Sequence, residues 1–156
     1  MSLHPDIVAV ALDTSPLGLA SNPHATAEAE SCRNWLAELT RSQVKVVIPE
    51  IADYELRREL LLAARMTSLS RLDALIESHN YIQITTTAMR RAATFWAASR
   101  HGGKPTSDRK SLDGDVILAA QVEDLQFEPD QVVVATSNVS HIRRFVNAAL
   151  WEDLYL

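Results

Sequence analysis

The chain has 156 residues, the size of one ordinary domain, and 47% of them are hydrophobic, enough for a full core. The formal net charge is -5, from 20 acids against 15 Lys and Arg. That balance argues against broad nonspecific binding to nucleic acid but leaves room for a local basic patch. A single cysteine, Cys32, excludes an intramolecular disulfide and a cysteine-based zinc site.

The opening "MSLHPDIV" has no basic region followed by a long apolar run, so no signal peptide is expected. No apolar stretch reaches the roughly 18 residues of a membrane span, and the expectation is a soluble, cytoplasmic protein. The first predicted strand is "IVAVAL", Ile7 to Leu12. It runs into "DTSPLG", where Asp13, Pro16 and Gly18 predict a turn. A helical pattern over 25–40 puts Cys32, Leu36 and Leu39 on one face and makes Cys32 a small core residue rather than a catalytic thiol. A strand over Val44 to Ile48 ends at Pro49, which suits the start of a helix over 50–66. Further helices are expected over 68–79, 87–100, 114–125 and 139–149, with strands over Tyr81 to Thr85 and Gln131 to Thr136. The apolar tail Leu150 to Leu156 must pack somewhere, on this chain or on a neighbour.

Strands alternating with helices predict an α/β fold, a central parallel sheet covered on both faces, in one domain spanning 1–156. In such sheets, sites lie beyond the carboxyl ends of the strands. Oxygen-bearing residues recur at that rim. Asp13 ends the first strand; alone it reads as a turn cap. Glu55, in "PEIADYELRRELL", shares a helix face with Ile51, Glu59 and Leu62 and sits either on a solvated Glu–Arg face or at the border of the core. Asp113 and Asp115, in "SLDGDVILAA", suit the N-cap and first turn of a helix. Thr136 ends the last long strand, Ser137 and Asn138 follow it, and all three suit a cap equally well. Taken together they form an oxygen-only donor set, which favours Mg²⁺ or Mn²⁺ over zinc. The polar, basic segment Arg100 to Lys110 reads as a loop.

The segments "VALDTSPLG", "YELRREL", "LDGDVILAAQ" and "VVVATSNVSHIRRF" resemble, in order and spacing, the motif regions of PIN domains, a family that includes the VapC-type toxins of toxin–antitoxin pairs. The resemblance runs from about residue 7 to residue 146. It implies a three-layer α/β/α sandwich around a five-stranded parallel sheet; only four strands are legible here, so the fifth is a short element or the sheet has four. It also implies a metal-dependent endoribonuclease acting on single-stranded RNA, a small antitoxin as partner and a homodimer. By position, Asp13, Glu55 and Asp115 match the family's metal-binding acids, and Asp113, an extra acid two residues before Asp115, would share or support its role as a metal ligand. Asn138 stands where many members have a fourth aspartate, and as a catalytic residue it would orient a water or the phosphate without carrying charge. Thr14, Ser15, Thr136 and Ser137 would support those ligands or the phosphate. Arg100, His101, Lys104, Arg109 and Lys110 would track the RNA backbone, and Trp96 suits the core better than a stacked base. The other reading is a PIN-like module that binds RNA or protein without cutting. A phosphatase that uses the strand-one aspartate as nucleophile would want a second aspartate where Ser15 stands, and a response-regulator receiver would want an acid pair and a lysine that are not found.

Overall fold

Four residues of near-continuous apolar character, "AVAL", make β1 (Ala9–Leu12) the centre of the molecule. In the computed structural model, which describes residues 3–102 and 109–156, β1 pairs in parallel with β2 (Lys45–Pro49) on one side and β4 (Val132–Ala135) on the other. β3 (Asn80–Ile82) and β5 (Ala148–Ala149) add to the two edges, giving five parallel strands in the order β3-β2-β1-β4-β5. Strand-to-helix crossovers run through α1 (Thr14–Ser21), α2 (Ala27–Arg41), α3 (Glu50–Leu62), α4 (Met66–Ser78), α5 (Thr86–His101), α6 (Arg109–Glu123) and the single turn α7 (Val139–Ile142).

The two-residue period of the strands divides the core. Val10, Leu12, Val46, Ile48, Val133 and Ala135 face the layer that holds Leu17, Leu36, Leu39 and Leu72. Ala9, Ala11, Val47, Val132 and Val134 face the other layer, against Leu118, Val122 and Ile142. A third apolar cluster, Ala88, Ala92, Leu112, Val116 and Ala120, seals α5 onto α6. Gln121 is 1% exposed but fully used: its amide accepts from the Ile51 N–H at 3.0 Å and donates to the Ile82 carbonyl at 2.9 Å, tying the start of α3 to β3. The C-terminal tail packs on its own chain. Trp151 lies 5.6 Å from Trp35, ring to ring, and Leu154 is buried. Among the described residues no helix is long and apolar enough to cross a membrane.

Four sequence expectations are corrected. The turn expected at Pro16 and Gly18 is the helix α1. Asp13 caps it, and Pro16 lies in its first turn, where an N–H has no intrahelical partner to lose. The helix expected over 114–125 starts at Arg109, so Asp113 and Asp115 lie inside α6 rather than at its N-cap and first turn. The helix expected over 139–149 stops at Ile142, because Phe145 turns in to pack on Phe95, 5.2 Å away, and the chain then extends into β5. Leu62, expected near the core, is 85% exposed at the end of α3.

Candidate active site at the carboxyl edge of the sheet

β1 and β4 end side by side, Leu12 opposite Ala135 in register. The next residue on each strand is therefore placed by the sheet itself. Asp13 leaves β1 as the N-cap of α1, with Oδ1 accepting from the Thr14 N–H at 2.8 Å. Its Oδ2 accepts from the Thr136 hydroxyl at 2.7 Å. Thr136 is 1% exposed, and its Oγ1 accepts the Asn138 N–H at 2.9 Å. Beside it, the Ser137 N–H donates to Ser15 Oγ at 3.1 Å. Asp13 and Ser15 on one side and Thr136 and Ser137 on the other thus form the hydrogen-bonded seam between the β1 and β4 ends, and Thr14 holds Asp13 through its N–H.

Asp115 approaches from α6 and is buried. The Asn138 amide leans toward its carboxylate, at 3.3 Å from Oδ2 and 3.4 Å from Oδ1. His141, on α7, brings Nδ1 to 3.8 Å from Asp115 Oδ2, and that buried nitrogen has no hydrogen-bond partner among the described residues. Burial, with the nearby Asp13 charge adding to it, pushes the Asp115 carboxyl up to about 6, against the opposing pull of His141, the Asn138 amide and Arg144. Glu55 reaches in from α3. Burial raises its carboxyl above the ordinary value, and the charges of Asp13 and Asp115 raise it further, while Arg58 pulls the other way. These couplings put Asp13, Glu55 and Asp115 in one electrostatic cluster.

Their donor chemistry, carboxylate oxygen alone, suits a hard divalent cation. Like charges that repel also stand apart, and among the described residues no three Asp, Glu, His or Cys side chains are drawn together closely enough to form a metal-holding group.

The remaining acids and bases sort differently. Asp113 is exposed and lines a groove of about 360 Å³ between α5 and α6, with Met89, Trp96 and Ile117. Two residues apart on a helix, Asp113 and Asp115 point to different faces. Asp53, close to Glu55 in sequence, serves the fold: it accepts from the Tyr81 hydroxyl at 3.1 Å and pairs with Arg57 at 3.0 Å. Glu59 is exposed and pairs with Arg58 at 3.6 Å. The Arg100 guanidinium lies over the Trp96 ring, 5.2 Å from its centroid, and Trp96 packs on the α5–α6 cluster. His101 is exposed at the end of α5. Lys104 lies outside the described residues, as do the side chains of Arg109 and Lys110. Cys32 is buried against the Pro16 carbonyl, its thiol pushed up to about 12 chiefly by burial. One neighbour of the cluster was not singled out from the sequence: His141. Its spacing three residues after Asn138, on the same short turn, is the signal that would have found it.

No family model matches the sequence, and no curated protein matches it. Solved structures do. A chain of VapBC2 from Rickettsia felis, bound to a DNA fragment from their promoter, superposes with a TM-score of 0.69 at 17% identity, over 92% of this chain and 98% of that one. A chain of VapBC-1 from nontypeable Haemophilus influenzae does so with a TM-score of 0.62, also at 17% identity and over the same shares. At this identity the likeness is one of fold, and it bears out the resemblance drawn from the motifs: the chain has a three-layer PIN-like α/β/α fold around a parallel sheet, shared over nearly all of its length with VapBC proteins.

Proposed function

We propose that the protein is a metal-dependent endoribonuclease that hydrolyses single-stranded RNA, acting as the toxin of a toxin–antitoxin pair. One observation carries this reading. Asp13, Glu55 and Asp115 come from three separate elements to the carboxyl edge of the sheet, close enough that Asp13 and Asp115 each raise the proton affinity of Glu55. Such mutual repulsion costs the fold stability, and a bound cation would offset it.

Asp13, Glu55 and Asp115 would hold Mg²⁺ or Mn²⁺. A cation so held lowers the pKa of a bound water and offsets charge developing on the phosphate. The chain's own groups divide the remaining work. Thr136 and the Thr14 N–H fix the Asp13 carboxylate, so that it does not swing when substrate arrives. The Asn138 amide orients Asp115. Glu55, more exposed than Asp115, is the group to orient the attacking water and take up its proton. Arg100, Lys104, Arg109 and Lys110 would meet the RNA backbone. Asp113, exposed on another face of α6, would act at most on substrate or solvent near the rim.

The likeness to VapBC structures supports a small antitoxin as partner. The exposed apolar side chains Tyr54, Leu61, Leu62 and Met66 at the α3–α4 corner suit a homodimer contact, which light scattering on the pure chain and on Leu62→Asp would test.

A second reading, a PIN-like module that binds without cutting, is favoured by the uncharged Asn138 beside Asp115 and by the spread of the carboxylates. Incubating wild type and Asp13→Asn with unstructured and structured RNA, in Mg²⁺, Mn²⁺ or EDTA, separates the two. Cleavage by wild type alone, abolished by EDTA, is the expected result. Equal cleavage by both proteins, or none by wild type with any metal, would sink the nuclease; RNA retention without cleavage would favour the module.

A further inference from the structure

A glycine inside a helix is unfavourable next to alanine, and a buried one usually marks a place where another group needs the room. Gly114 is buried within α6, directly before Asp115. A Cβ built on it would lie 2.8 Å from Glu55 Oε2, 3.0 Å from Oε1 and 3.1 Å from Cδ. The first is shorter than real methyl contacts show, the other two are tighter than nearly all of them, and all three atoms belong to one carboxyl group. At Gly18 and Gly102 the same added carbon would meet its nearest neighbour at an ordinary 3.6 Å. The space left by the missing methyl is therefore the seat of the Glu55 carboxylate against the α6 backbone.

We propose that Gly114 is a positioning residue for the cation site: by lacking a side chain it lets Glu55, on α3, dock its carboxylate beside Asp115. This rests on the nuclease reading above and deepens it. A methyl group at position 114 would leave the fold intact, because the atoms it displaces are the free end of a long side chain. Glu55 would swing aside, and Arg58, whose guanidinium is already 3.9 Å from Oε2, would hold it there. The arrangement makes an opposed pair of effects: alanine at 114 improves the helix and spoils the site.

The test is a double-mutant cycle on Gly114→Ala, Glu55→Asp and the pair, with melting in EDTA, the Mn²⁺ dependence of melting, and RNA cleavage as readouts. Gly114→Ala should melt about 2 °C above wild type in EDTA. Its Mn²⁺ half-saturation should rise, and its cleavage rate fall, by about tenfold or more. Because aspartate is shorter and clears the added methyl, Glu55→Asp should cost less in the Gly114→Ala background than in wild type. Unchanged Mn²⁺ response and cleavage in Gly114→Ala, strictly additive effects, or loss of folding on adding the methyl would each overturn the proposal while leaving the nuclease reading in place. A wild type that neither responds to Mn²⁺ nor cuts RNA would overturn that reading, and this inference with it.

Discussion

The Thr136 hydroxyl donates to Asp13 Oδ2 at 2.7 Å, bridging the ends of two parallel strands, and the same oxygen accepts the Asn138 N–H at 2.9 Å. One buried hydroxyl thus sets the positions of an acid just past β1 and a backbone amide after β4. Removing it strands both partners at once. Thr136→Val, nearly the same shape, should destabilise the fold by about 1–3 kcal/mol in denaturant titrations and lower RNA cleavage. Thr136→Ser should restore most of both. Stability unchanged by the valine would mean that water replaces the hydroxyl and that the seam does not depend on it.

The cluster also predicts a pH dependence. Asp115 is raised from 3.8 to about 6 in the folded chain. A carboxyl with a raised folded pKa contributes stability that is complete below about 4 and lost as the pH climbs through about 6. Ionised Asp115 therefore works against the fold at neutral pH. Asp115→Asn should be more stable than wild type at pH 7 in EDTA, by up to roughly 3 kcal/mol, and the gap should close toward pH 4. A gap that is the same at both pH values would remove the electrostatic account of the cluster.

With only 4 glycines in the chain, most helix ends fall to other residues; Gly102 closes α5. Ala64 follows α3 at φ 54, where the Ala64 and Arg65 N–H groups return to the Leu61 and Leu60 carbonyls. That left-handed position disfavours a Cβ. Ala64→Gly should therefore be neutral to stabilising, by up to about 1 kcal/mol, even though glycine weakens most helices. A clear loss of stability, measured by chemical denaturation, would show that the turn is held by contacts of the Ala64 methyl instead.

The sheet was legible because buried parallel strands are short, apolar and β-branched, as "VKVVI" and "QVVVAT" are. β5 was not, since two alanines carry no periodicity to read and its pairing comes from β4. α1 was hidden by residues that serve two purposes: Asp13 closes a strand while capping a helix, and Pro16 is tolerated in a first turn as well as in a loop. At the site, the acids at strand ends were visible in the sequence. Their sorting was not. Only packing reveals that Asp53 belongs to Tyr81 and Arg57, that Asp113 faces away from Asp115, and that His141 comes round to Asp115. Gly114 likewise looked like part of a helix start, and its use appears only once α3 is laid against α6.

The most direct test of the central claim is the rate at which the pure protein cuts a uniformly labelled, unstructured RNA as Mn²⁺ is titrated in, for wild type and Asp13→Asn side by side. The account predicts a saturable, EDTA-reversible rise in rate for wild type, and a rate lower by at least about a hundredfold for the variant. Cleavage independent of Mn²⁺, or equal in the two proteins, would contradict it.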